Sequence, residues 1–232
     1  MYNIVKLLVI GLWVGFKEVI FFFQHLIRYR HSGQFIKVEW LLWKKYLFIN
    51  PYYLCKRHLR SLNLEDQPYG ETTLRSLDHI LARVQICEDD YFVDLGCGRG
   101  KLVFWVNCYY KCHSLGIDLN PIFMQHAKAI AQQLSLEKVE FSEGAIEDFD
   151  LSKATVLYLY GSAFTDDFLY ELTKKLQSLS QNTKIISVSF PLNDYCQLPA
   201  FETIDAMEIQ FIWGSSTVYV QKPLGVAQDS SQ

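Results

Sequence analysis

The stretch Asp94-Leu95-Gly96-Cys97-Gly98-Arg99-Gly100 sets an acid ahead of three glycines at every second position. A side chain at such glycines would clash with a ligand held against the backbone. The spacing is D-x-G-x-G-x-G rather than the G-x-G-x-x-G of dinucleotide sites. It favours an adenosyl ligand without a pyrophosphate, S-adenosylmethionine, over NAD. Asp118 stands eighteen residues past Gly100, where an acid in this architecture grips a ribose hydroxyl pair. Upstream, Tyr69-Gly70-Glu71-Thr72 leads into a helix and would offer free N–H groups to a carboxylate such as a methionine tail. Downstream, Gly144-Ala145-Ile146-Glu147-Asp148 is expected along the adenine edge.

These residues need strands and helices to bring them together. Tyr91-Phe92-Val93 reads as a buried strand running into the glycines. Leu102, Val103, Trp105, Val106 and Tyr109 then recur at helical period. Leu115–Asp118 is a second strand, and Asn120-Pro121 starts a helix with asparagine at the N-cap and proline at the first position. Further strands are expected over 139–141, 155–160 and 184–190, with a helix capped by Thr165. Residues 208–213 and 217–221 form a hairpin through Gly214-Ser215. Strand–helix alternation closed by a hairpin predicts an α/β fold: a Rossmann-like, doubly wound, seven-stranded sheet with an antiparallel terminal hairpin, preceded by an N-terminal apolar helical arm.

Charge divides the chain. Residues 1–60 hold ten Lys and Arg against Glu18 and Glu39, a net of +8, which leaves −11 on residues 61–232 out of −3 overall. A basic arm on an acidic body points to an anionic surface for the arm and a cationic substrate for the body. Residues 4–27 are mostly Val, Ile, Leu and Phe and are about long enough to cross a bilayer. Lys17 and Glu18 at their centre offset that, at ~3 kcal/mol each. Lys6, Lys17, Gln24 and Arg28 fall on one stripe, as on a helix lying in the interface or packed on protein.

A second apolar-aromatic stretch, 35–53, carries Trp40, Trp43 and Tyr46 beside Lys44 and Lys45, the mix found at headgroup level. Asn50-Pro51 breaks it, and 55–67 reads as a linker. The division expected is a membrane-associating arm (1–60), a catalytic domain (61–222) and a mobile tail (223–232), with the membrane contact made by residues 1–54. Nucleic-acid binding is disfavoured, because the residues between the cations are too apolar for a solvated groove. The six cysteines show no C-x-x-C, which argues for reduced thiols in the cytoplasm and against a metal site.

The set 92–100, 116–118 and a fourth strand ending in a candidate substrate loop resembles the class I S-adenosylmethionine-dependent methyltransferases. Within that class, Tyr69-Gly70-Glu71-Thr72, Glu88–Gly96 and Ala154–Tyr158 with Ala163-Phe164 resemble the non-SET, disruptor-of-telomeric-silencing type of histone lysine methyltransferases. An apolar anchor ahead of such a domain is also similar to the membrane-bound lysine methyltransferases that modify an ATP synthase subunit. Two departures stand out. Tyr160 replaces the asparagine that ends the fourth strand in the histone enzymes. Ala145-Ile146 replace their Asp-Phe pair, which moves adenine recognition to backbone groups or to Glu147 or Asp148. The N-P-P-Y signature of nucleobase and amide methyltransferases is absent.

The resemblance implies S-adenosylmethionine as cofactor and a protein lysine as acceptor. Asp94, Gly96, Gly98 and Gly100 would hold the methionine moiety and Asp118 the ribose. Tyr69, Tyr160 and Phe164 would line an acceptor channel, with Ser162 or Asp166 contacting the incoming group. Two alternatives compete: a methyltransferase for a lipid or quinone-like small molecule, and a cofactor-binding membrane module without turnover.

Overall fold

A computed structural model describes residues 27, 32–47, 49–62, 70–160, 164–211 and 214–225. Tyr69, Ser162, most of the 4–27 stretch and the tail from 226 lie outside the described residues.

The element order is α1 (Gly33–Tyr46), α2 (Pro51–Ser61), α3 (Leu74–Val84), β1 (Tyr91–Leu95), α4 (Lys101–Tyr110), β2 (His113–Asp118), α5 (Pro121–Gln133), β3 (Val139–Glu143), β4 (Val156–Tyr160), α6 (Asp166–Gln177), β5 (Lys184–Val188), β6 (Phe201–Phe211) and β7 (Gly214–Pro223). The seven strands form one sheet in the order β3-β2-β1-β4-β5-β7-β6. The first five are parallel; β7 runs antiparallel to both β5 and β6. The predicted doubly wound sheet with a closing hairpin is therefore present. Chain direction across the sheet reverses between β1 and β4, and the crevice outside their carboxyl ends is where open α/β sheets take ligands.

Period-two alternation sends side chains to two cores. Phe92, Val156, Tyr158 and Ile186 join α1, α3, α4 and α5 on one face. Val93, Leu95, Leu157 and Ile185 join α6 on the other. Caps fix where the helices begin. Asn120 accepts from the N–H groups of Ile122 and Phe123, Thr73 from Ser76, and Thr165 from Phe168. Asp166 and Asp167 in the first turn of α6, and Lys174 and Lys175 in its last, complement the helix dipole.

Three boundaries differ from expectation. Residues 55–61 are the body of α2, not linker: Asn50 caps that helix by accepting from the Tyr52 N–H, with Pro51 at its first position. The Asn-Pro pair therefore starts a helix at 50 just as it does at 120. The hairpin is longer than expected, because polar Glu202, Thr203 and Asp205 pair in β6 with β7 despite a bulge between Thr203 and Asp205. Gly214 and Ser215 accordingly open β7, and Pro223, assigned to the tail, closes it.

Helix α1 packs into the body rather than standing off it. Phe35, Val38, Leu42 and Tyr46 are buried in the core shared with α4 and α5, and the Phe35 and Tyr46 rings meet Tyr109 and Phe123 edge-on. Among the described residues no helix is long and apolar enough to cross a membrane. Trp40, Leu47, Ile49, Tyr52 and Tyr53 are nonetheless exposed along α1 and α2.

Candidate cofactor and acceptor site

The crevice above β1 and β4 is lined by two loops and two strand ends: Gly70, Glu71 and Thr72; Asp94 and Gly96 to Arg99; Lys101 and Leu102 at the start of α4; and Tyr158 and Tyr160 of β4. Of the residues expected at a cofactor or acceptor site, Gly70, Glu71, Thr72, Asp94, Gly96, Gly98 and Tyr160 line this cleft, while Gly100, Asp118, Ala145 and Ile146 are not in its lining.

The glycine loop folds as it does because it must pass close to its neighbours. Gly96, Gly98 and Gly100 all have positive φ. A Cβ on Gly100 would strike the Phe141 ring, and one on Gly116 would stand 2.7 Å from the Cys97 sulfur. Gly100 therefore supports the loop from beneath and is absent from the cleft lining, whereas Gly96 lies on its surface. The N–H groups of Gly96 and Cys97 both donate to the Ile117 carbonyl at 2.9 Å, which ties the loop to β2.

Asp118 is the second tie. Its carboxylate accepts from the Gly98 N–H and the Asn120 N–H, each at 2.8 Å. Burial raises its pKa, and those two hydrogen bonds oppose the rise. Each oxygen keeps a lone pair for a ribose hydroxyl. Leu119, the next residue, is an exposed apolar side chain beside it. No polar pattern marks Leu119, so only its position after Asp118 could have drawn attention to it.

Asp94 is only 4% exposed. Burial, and then the charge of Asp118, push its carboxyl up to about 8. In register it stands between Gly116 of β2 and Tyr158 of β4. A carboxyl so placed is poised to ionise when a cation arrives. Opposite it, Tyr158 and Thr72 share a hydrogen bond of 2.5 Å, and burial raises the Tyr158 phenol far out of the working range. Tyr158 was missed because a tyrosine within an apolar strand reads as core.

Arg99 joins the two loops. Its Nε donates to Glu71 Oε1 at 2.7 Å and its Nη2 to Glu71 Oε2 at 2.6 Å, while its guanidinium lies over the Tyr46 ring of α1. Lys101 pairs with Glu39 of α1 at 3.2 Å. Neither cation was expected in the site, since each stands at a position read only for its glycine neighbours.

The acceptor side is aromatic. Tyr160 packs on Gly70, where a Cβ would stand 3.0 Å from its ring, and meets Phe211 edge-on at 6.1 Å. Phe164 lies against Gly96 and stacks on Phe168. Asp166 is not brought to the cleft: it is exposed in the first turn of α6, in hydrogen-bonding contact with Tyr195. Ile146 turns its side chain into the core of the opposite face, and Ala145 precedes the 3-10 turn 146–148. That turn adjoins Asp118 through a hydrogen bond from the Gly144 N–H to the Asp118 carbonyl. Tyr69 and Ser162 lie outside the described residues. Among the described residues no group of His, Cys, Asp and Glu could hold a metal ion.

The chain is similar to proteins already described. Residues 94–197, just under half of the chain, match the family model described as ANTKMT methyltransferase domain. The chain is 29% identical over 147 residues to the histone-lysine N-methyltransferase, H3 lysine-79 specific, of Caenorhabditis elegans, a match covering 56% of this chain and 15% of that protein. It is 22% identical over 130 residues to a protein-lysine N-methyltransferase of Saccharolobus islandicus, covering 55% of this chain and 80% of the relative. In structure it is similar to an RNA methyltransferase from Salinibacter ruber solved with S-adenosyl-L-homocysteine, at a TM-score of 0.54 and 25% identity, over 70% of this chain and 100% of that one.

Proposed function

We propose that this chain, a class I S-adenosylmethionine-dependent methyltransferase, transfers methyl groups to a lysine side chain of a protein at or near a membrane. The observation that carries the acceptor reading is the pair of rings over the cleft: Tyr160 against Gly70 and Phe164 against Gly96, one above each loop.

The cleft suits the donor. Gly70 and Gly96 line it with bare backbone, and Asp94 is a buried carboxyl whose raised pKa asks for a cation. Asp94 would take the ammonium of the methionine end and Asp118 the ribose hydroxyls. Leu119 would offer an apolar face to adenine, beside the backbone of residues 144–148. When bound, S-adenosylmethionine supplies an electrophilic methyl group on its sulfonium.

The protein then has to align a neutral amine in line with that methyl and keep water out. Charged lysine is no nucleophile. An aromatic, poorly hydrated channel disfavours the ammonium and so releases its proton to solvent before attack. Tyr160 and Phe164 would form that channel, with Tyr69 and Ser162 as further candidates from the adjoining loops.

Two relatives named for lysine methylation support a protein acceptor. The net −11 of residues 61–232 suits a cationic segment and repels phosphate, which favours protein over an RNA acceptor. Membrane association is supported by the exposed Trp40, Leu47, Tyr52 and Tyr53 among Lys44, Lys45, Lys56 and Arg57 on α1 and α2, and by the apolar run 4–27. Six free cysteines fit a catalytic domain in the cytoplasm.

The test is transfer of tritiated methyl from labelled donor into a membrane fraction, with Asp94→Ala as control. Label in protein supports the proposal. Label in RNA or in the organic extract overturns the lysine assignment, and binding without transfer overturns the activity. Co-sedimentation of the full chain with anionic vesicles tests the membrane assignment, and failure to sediment overturns it.

A further inference from the structure

The family-model match covers residues 94–197, yet two residues of α1, some fifty positions before it, touch the cleft-lining cations. Tyr46 lies under Arg99, its ring centroid 5.1 Å from the guanidinium carbon. Glu39, 6% exposed, meets Lys101 Nζ at 3.2 Å. A carboxylate taken out of water costs several kcal/mol per ion even after relaxation, and an apolar residue of similar volume often packs at least as well. For the fold alone, then, Glu39 is a poor choice. It forms an ion pair with Lys101.

Lys101 carries three N–H donors. Its side chain is 20% exposed, Glu39 takes it from the buried side, and it lines the cleft on the other. Asp94, the carboxyl suited to an ammonium, lines the same cleft. An amino-acid end presents both an ammonium and a carboxylate, and these two residues offer the matching pair. We infer that Glu39 is a positioning residue, holding Lys101 to receive the carboxylate of the donor's amino-acid end, so that helix α1 is a working part of the cofactor site. The inference rests on the methyltransferase reading of the cleft.

Two ligands separate positioning from mere support. S-adenosylhomocysteine carries the amino-acid end; 5′-methylthioadenosine shares the adenosyl thioether and lacks it. Their dissociation constants are measured by titration calorimetry for the full chain and for Glu39→Gln, Lys101→Met and the double variant. Each single change weakens S-adenosylhomocysteine about tenfold, the scale of one charge-assisted hydrogen bond, and methylthioadenosine less than about twofold. The double variant binds no more weakly than Lys101→Met. Equal weakening of both ligands by Glu39→Gln, or of neither, overturns the inference. Should Glu39→Gln fail to fold, Glu39→Asp, which keeps the charge and shortens its reach, is read on the same two ligands with the same two outcomes. A wild-type chain that binds neither ligand overturns the cofactor reading itself, a distinct result.

Discussion

Arg99 and Glu71 meet as two parallel hydrogen bonds, 2.7 and 2.6 Å long, and so fasten the glycine loop to the loop that opens α3. Arg99 is 9% and Glu71 25% exposed at the side chain. Removing one member leaves the other's charge largely out of water, so Glu71→Gln should cost about 3 kcal/mol of unfolding free energy. Arg99→Lys, which keeps the charge and loses the fork, should also destabilise. Urea denaturation reads both; wild-type midpoints would show that the pair does not fix the loops.

Asp94 should make the ligand-free protein less stable as pH rises. Burial pushes its folded-state carboxyl up to about 8, above the ordinary 3.8 of an unfolded chain. Between those values the folded state binds more protons than the unfolded one, so stability falls across that window. A cationic ligand group reverses the preference by favouring the carboxylate. Unfolding free energy should therefore decline from pH 5 to pH 8 without ligand and decline less with S-adenosylhomocysteine. Asp94→Asn should flatten the ligand-free slope, and a slope unchanged in that variant would assign the effect elsewhere.

Gly100 combines a φ of 77° with a position where an added Cβ would run into the Phe141 ring. Alanine there pays for left-handed backbone and for the ring contact, about 3 kcal/mol together. Phe141→Leu in the same chain should return part of that loss, leaving the backbone share of about 1–2 kcal/mol. Strict additivity of the two changes would show that Phe141 does not set the need for glycine.

Tyr160 divides acceptor chemistry from donor binding. Tyr160→Ala opens the channel to water, and a lysine pKa restored by about one unit lowers the neutral fraction about tenfold. We expect kcat/KM for the acceptor to fall on that scale while S-adenosylhomocysteine affinity stays within about twofold. Tyr160→Phe should retain activity, since the ring and not the hydroxyl excludes water. A large loss in the phenylalanine variant would give the hydroxyl a direct role.

How far the sequence could be read depended on whether a residue's role is local. The D-x-G-x-G-x-G loop, the Asn-Pro start of α5 and the Thr165 cap are set by neighbours within a few positions, and they stand where expected. Glu39 with Lys101 and Tyr46 with Arg99 are separated by more than fifty residues, and no spacing rule reports such pairs. Aromatic content beside lysines made α1 look like an interfacial arm, although one side of the helix is core. In the hairpin, a strand is expected only over 208–213, while the polar start of β6 is held by pairing with β7 that composition does not reveal.

The most direct measurement of the central claim is tritiated methyl incorporation by the full chain, with wild type and Asp94→Ala side by side in the presence of membrane protein. Label fixed in protein, recovered as methylated lysine after hydrolysis and lost in Asp94→Ala, is the result expected. Label recovered elsewhere, or wild type no better than Asp94→Ala, would contradict a lysine methyltransferase built on this cleft.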